Sequence, residues 1–107
     1  MAGKVRAYVA MREAYMRHPR RQSYWTRHPD ELARRKQETV AFRALTDEEA
    51  DALERDGVLP SPERIGQLSP ATGLAREDLA SIFRGFHYIM AEGVRAVATP
   101  REGAKGD

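Results

Sequence analysis

Apolar residues recur at steps of three and four along most of this chain, and the longest such run lies near its end. Leu79, Ile82, Phe86, Ile89, Gly93 and Ala96 form one stripe, widened by Phe83, Met90, Val94 and Val97. A stripe that broad faces a core rather than a narrow surface seam, so it predicts a long central helix over about 75–98. Residues 4–17 predict a first helix with Val5, Tyr8, Val9, Tyr15 and Met16 on one face, and with Arg6 and Glu13 elsewhere. Pro19 ends it, because the residue before a proline avoids the helical region. A further helix over about 30–44 opens at Pro29, with Asp30 and Glu31 in the first turn, where the helix dipole favours acids. Its stripe of Leu32, Thr39, Val40 and Phe42 or Arg43 is thin, and Arg34, Arg35 and Lys36 are expected on the exposed side.

The sharpest local signal is Thr46-Asp47-Glu48-Glu49. The Thr46 hydroxyl can accept from the Glu49 amide while the Glu49 carboxylate accepts from the Thr46 amide, a capping box. That helix should run to about Asp56, with Ala50, Leu53 and Ala52 inward, and stop at Gly57 in a left-handed conformation. Ser61-Pro62-Glu63 starts another, anchored by Ile65 and Leu68; Ser69-Pro70 is expected to interrupt it, and Gly73 to turn the chain into the long helix. Gly85 and Gly93 would bend that helix or let a neighbour approach closely. Residues 18–29, HPRRQSYWTRHP, read as an ordered turn with one helical turn inside. No run alternates as a strand does. The expectation is an all-α protein: one compact domain of four to five helices over residues 1–100, then a disordered tail, 101–107, beyond Pro100.

Composition narrows the chemistry. The absence of cysteine among the 107 residues removes disulfides, thiolate-ligated metals and thiol catalysis. No window approaches the ~20 apolar residues of a membrane span, and the first residues lack a signal-peptide core, so a cytoplasmic protein with no membrane partner is expected. Much Ala and Arg with little Lys suggests a bacterial or phage source. The net charge of +2 is unevenly spread. Residues 1–43 hold eleven Lys and Arg against four Asp and Glu, a net of +7; residues 44–107 hold seven against twelve, a net of −5. Such a split can mark a surface for a polyanion, or it can mean that the basic half lies against the acidic half.

Two stretches could meet nucleic acid. Residues 65–85, IGQLSPATGLAREDLASIFRG, resemble the helix-turn-helix of repressor-type DNA-binding proteins: Leu68, Ser69, Gly73, Leu74, Leu79 and Ile82 fall at that family's structural spacings, and Gly85 stands where such recognition helices stop. The resemblance implies that Ala75, Arg76, Glu77, Ser81 and Arg84 face DNA. Pro70 falls inside the motif's first helix, where proline costs ~3 kcal/mol unless the helix starts anew there. The connector and its flank supply Arg17, Arg20, Arg21, Arg27, Arg34, Arg35 and Lys36 around Tyr24 and Trp25. Arginines interleaved with aromatics suit phosphate contact and base stacking, or equally a small core in which arginine stems cover aromatic edges.

Tyr15-x-x-x-Pro19, Trp25-x-x-x-Pro29 and the Leu45–Leu53 segment also resemble small helical domains of the protocatechuate dioxygenase small-subunit type, which implies an accessory domain docking on a partner enzyme. The three histidines, His18, His28 and His87, are not at ligand spacing, and no phosphate loop or activated serine appears, so neither metal, cofactor nor enzymatic activity is expected. The leading expectation is a non-enzymatic DNA-binding regulator. The second is an accessory or adaptor protein whose 79–97 stripe meets a partner protein or a homodimer copy.

Overall fold

The computed structural model describes the backbone of residues 3–98 and the side chains as far as Glu92. Pro100, the 101–107 tail and the side chains of the stripe beyond Glu92 lie outside the described residues. Between Gly3 and Ala98 every element is helical: α1 (Gly3–Arg17), a 3-10 turn (Pro19–Arg21), α2 (Gln22–Arg27), α3 (Pro29–Arg43), α4 (Asp47–Asp56), α5 (Pro62–Thr72), α6 (Arg76–Arg84) and α7 (Phe86–Ala98). The all-α expectation holds, but seven α-helices replace the four or five expected. Two local features account for the difference.

The connector holds more helix than one turn. His18 Nδ1 accepts from the Arg20 amide at 3.1 Å and starts the 3-10 turn, and Gln22 Nε2 then donates to the carbonyls of Met16 and His18 at 3.1 and 2.9 Å. The long helix expected over 75–98 is divided into two by the bend that Gly85 was expected to allow: the chain turns there (φ −85°, ψ 11°) between α6 and α7. The hydrogen-bond ladder nevertheless crosses the bend: Gly85 N–H donates to Ser81 O at 3.0 Å and Ile89 N–H to Gly85 O at 2.8 Å.

Pro70 was expected to interrupt α5, and it does not. It sits in the last turn with its ring exposed, so the helix forfeits only the bond that an amide there would make to Gly66 O, with a single turn left to hold beyond it. Two side chains and one backbone amide supply hydrogen bonds around this terminus. Thr72 Oγ1 donates to Leu68 O at 2.8 Å, Ser69 Oγ to Leu74 O at 2.7 Å, and the Gly73 amide to Ser69 O at 2.9 Å.

The local signals elsewhere act as read. Thr46 Oγ1 accepts from the Glu49 amide at 3.1 Å and Glu49 Oε1 from the Thr46 amide at 2.9 Å. Ser61 Oγ accepts from the Arg64 amide at 3.2 Å. Gly57 (φ +66°) and Gly73 (φ +77°) stop α4 and α5 in the left-handed region, which glycine enters without the Cβ clash that other residues meet.

The centre of the core is the α1–α3 pair, the most extensive helix contact, rather than the C-terminal helix. Phe42 of α3 is fully buried and makes ring contacts with Tyr8 (5.8 Å), Phe83 (6.0 Å) and Phe86 (5.8 Å). Leu79 and Leu53 close over this hub. The inward face of α3 keeps Thr39 and Phe42 of the expected stripe but not Val40. Glu38, Ala41, Phe42 and Leu45 are buried at steps of three and four, whereas Val40 is 38% exposed. A glutamate on the inner face hid the true register.

Polar contacts of Glu54 and Arg6 also join the chain's halves. The Glu54 carboxylate accepts from the amides of Lys4 and Val5 (3.3 and 3.1 Å), so α4 caps the first turn of α1 with negative charge. Arg6 donates to Leu45 O at 2.7 Å and pairs with Asp47 at 3.0 Å, which ties α1 to the α3–α4 corner. The charge asymmetry is thus partly taken up inside the fold, as one of its two readings proposes.

Candidate nucleic-acid interface

The segment read as helix-turn-helix is a corner between α5 and α6. Leu68 and Leu79 are buried on its inside, Leu74 and Ile82 are half-buried, and Gly73 makes the turn. Glu77 and Asp78 occupy the first turn of α6, where the dipole stabilises them, and Arg84 occupies the last, where it favours a cation. Glu77, Ser81 and Arg84 are exposed at i, i+4 and i+7 and therefore share one outward face. Ala75 is the exposed N-cap residue and offers no side-chain cap. Arg76 lies on the other side of the helix. It precedes Leu79 and Phe83 by three and seven residues, and its guanidinium passes over Gly66 of α5, 3.4 Å from where a Cβ would stand. Of the five residues assigned to DNA by resemblance, three share the outer face, one caps it, and Arg76 packs across the corner.

The basic residues of the connector and α3 divide. Arg21, Arg34 and Arg35 line a cavity of about 540 Å³ between the connector, α1, α3 and the α6–α7 bend, and Ser81 of α6 lies on the same wall. Lys36, with Arg17 and Arg43, lines a separate groove on another flank of α3. The expected Arg34–Arg35–Lys36 cluster is therefore split, because consecutive helical positions point about 100° apart. Arg20 and Arg27 are exposed on the connector. Trp25 is 3% exposed and takes the core role that was the alternative to base stacking. Tyr15 and Tyr24 meet it edge-on at 6.2 and 5.0 Å, and the Arg21 guanidinium lies 4.1 Å from the Tyr24 ring centroid and 4.7 Å from that of Tyr15.

Several residues of this region were not singled out from sequence. Arg12 is 4% exposed; its Nε donates to Tyr8 Oη at 3.2 Å, and Tyr8 Oη donates to Glu38 Oε1 at 3.4 Å. Arg35 closes the chain with an ion pair to Glu38 at 3.0 Å. Burial pushes the Glu38 carboxyl above its ordinary range, against the pull of Arg35 and Arg12. Burial likewise raises the Tyr8 hydroxyl, opposed by Arg12. Tyr24 Oη donates to Glu31 at 2.6 Å, and burial and that bond together raise the Tyr24 hydroxyl. The i, i+4 spacing of Tyr8 and Arg12 was the one visible signal, and it carries little weight without its partner on α3.

Among the described residues no group of three His, Asp or Glu is placed to hold a metal, and no helix is long and apolar enough to cross a membrane. Comparison with protein-family models, with curated proteins and with solved structures finds no match to this chain.

Proposed function

We propose that this protein is a small non-enzymatic regulator that binds duplex DNA, with α6 entering the major groove. What supports the reading is the α5–Gly73–α6 corner, whose inner residues lock two helices together while Glu77, Ser81 and Arg84 face outward on the second. In this arrangement Arg84 and Ser81 reach base edges or adjacent phosphates. Glu77 supplies an acceptor for a cytosine amino group. Arg20, Arg27 and Arg34, exposed on neighbouring elements, supply phosphate contacts.

The test is fluorescence anisotropy of labelled duplex DNA at ~50 and ~200 mM salt, a span over which several phosphate contacts cost orders of magnitude in affinity. Binding should collapse at the higher salt. Arg84→Ala should weaken discrimination between sequences, and Arg20→Ala with Arg34→Ala should lower the salt slope by about 2 without changing sequence preference. No binding at the lower salt would sink the reading. The accessory role on a partner protein would then stand first, favoured by the exposure of Tyr88 (72%) and Val58 (54%).

A further inference from the structure

The stripe expected on α3 has a place in the structure, though for the most part outside the core. Leu32, Thr39, Val40 and Arg43, with Lys36 among them, line one wall of a groove of about 550 Å³. Glu13, Met16 and Arg17 of α1 line the other wall, and Gln22 of α2 borders it. The α3 positions 32, 36, 39/40 and 43 follow one helix face, so the groove extends over about 16 Å at about 1.5 Å per residue. Met16 and Leu32 are half-buried, and Val40 is one of three large apolar residues left exposed among the described residues.

The polar groups of this groove divide into those the chain has engaged and those it has not. Arg43 is paired with Glu13, the one carboxylate among the lining residues. Thr39 Oγ1 donates to Lys36 O at 2.9 Å, and Gln22 Nε2 is spent on the carbonyls of Met16 and His18. Two cations are left over. Arg17 on the α1 wall and Lys36 on the α3 wall are exposed, and neither side chain has a hydrogen-bond or ion-pair partner among the described residues. The groove thus presents Met16, Leu32 and Val40 beside two positive charges that no anion of the chain offsets.

From this arrangement we infer that the groove between α1 and α3 docks an acidic amphipathic helix of a partner protein, about three turns long to match its span. Apolar side chains on the inner face of that helix fill the space over Met16, Leu32 and Val40, and carboxylates flanking them meet Arg17 and Lys36. The apolar wall is what favours a protein over a nucleic-acid backbone, whose phosphates would suit the two cations but leave that wall uncovered. The groove shares no residue with the outer face of α6 or with the cavity beside Arg34, so the inference does not depend on DNA binding.

The test selects displayed random peptides of about 12 residues, enough for about three helical turns, against the full chain. Selection is at ~150 mM salt, where the Debye length is ~8 Å and diffuse charge attraction is damped. Enriched peptides should carry leucine-like residues at steps of three and four with Asp or Glu beside them. The best of them, made synthetically and labelled, is then titrated by fluorescence anisotropy. Arg17→Glu with Lys36→Glu should weaken it at least tenfold, and Val40→Ser should weaken it several-fold. All three residues are exposed, so these variants should keep the fold, as circular dichroism and Trp25 fluorescence report. Arg84→Ala, outside the groove, should bind the peptide as the parent does. A selection that enriches nothing, or enriches neutral or basic peptides, would overturn the proposal. So would a peptide indifferent to the charge reversal in a folded variant, or one indifferent to Val40→Ser, since charge alone would then account for its binding. If the charge-reversed protein loses duplex DNA while no acidic peptide is enriched, the two cations serve phosphate and the proposal fails.

Discussion

Replacing Gly73 with alanine isolates the turn on which the α5–α6 corner depends. The residue has φ +77°, and a Cβ built on it meets no other atom within 4 Å. Steric collision therefore adds nothing, and the cost is the left-handed backbone itself, about 1–2 kcal/mol for an L-residue. Against this, alanine restricts the unfolded chain and returns about 0.4–1 kcal/mol. The net expectation is a loss of about 0.5–1.5 kcal/mol, or several degrees in Tm for a domain near 100 residues. The control is Gly85→Ala. That residue has φ −85°, so no left-handed penalty applies, and its Cβ would stand 3.4 Å from Ser81 O and 3.5 Å from Ile89 Cδ1, ordinary van der Waals distances. This second variant should be neutral or slightly more stable. Both are measured by urea denaturation followed by circular dichroism and by Trp25 fluorescence. A Gly73→Ala protein as stable as the parent, beside a destabilised Gly85→Ala, would refute the assignment of the obligatory turn to Gly73.

Two further expectations concern α5 and its neighbours. Gly66→Ala should stabilise by up to ~1 kcal/mol through helix propensity, since the nearest atoms to its Cβ, at 3.4–3.6 Å, belong to the movable Arg76 guanidinium; a thermal melt decides it. Burial pushes the Glu49 carboxyl up, but its hydrogen bonds from Arg64 and from the Thr46 amide, with the Arg64 charge, outweigh this and hold it below the ordinary value. Its contribution is therefore complete above the unfolded carboxyl range and lost as pH falls through the lower folded value. Stability against pH for the parent and Glu49→Gln should differ at pH 7 and converge in acid.

What was legible in the sequence was local. Thr46 with Glu49, Ser61 with Pro62, and the two left-handed glycines each satisfy backbone groups within four residues, so their patterns suffice to place them. Pro70 was misread because its tolerance depends on what neighbours provide, while Gly85 bends the chain, as one of the two readings of it expects. Thr72 and Ser69 rebuild the bonding at the end of α5, and packing of Phe83 and Phe86 around Phe42 fixes the bend between α6 and α7. The candidate interface was legible where it lies on one helix: Glu77, Ser81 and Arg84 do share a face. It was not legible where it needed placement of separate helices, which set Lys36 apart from Arg34 and Arg35 and laid Arg76 over α5. The cavity was hidden for a further reason. A search for apolar periodicity passes over an inner stripe whose members are Glu31, Arg35 and Glu38.

That polar stripe makes its own prediction, because buried ion pairs are a poor way to gain stability. The linked set of Arg12, Tyr8, Glu38 and Arg35 is desolvated, and the raised Glu38 carboxyl carries the sign of that cost. Glu38→Ala alone leaves Arg35 without its acceptor and Arg12 without the opposite charge nearby, so it should lose about 3–5 kcal/mol. Removing the whole set together, by Tyr8→Phe, Arg12→Met, Arg35→Met and Glu38→Leu, leaves no orphaned partner within the network. That variant should match or exceed the parent, by up to ~4 kcal/mol where apolar replacements pack well. Urea denaturation of the three proteins compares them directly. If the fourfold variant is weaker than Glu38→Ala, the network contributes to stability through its own geometry, and the argument from desolvation fails. If it is the most stable of the three, the polar character of this end of the bundle is kept at a cost to the fold.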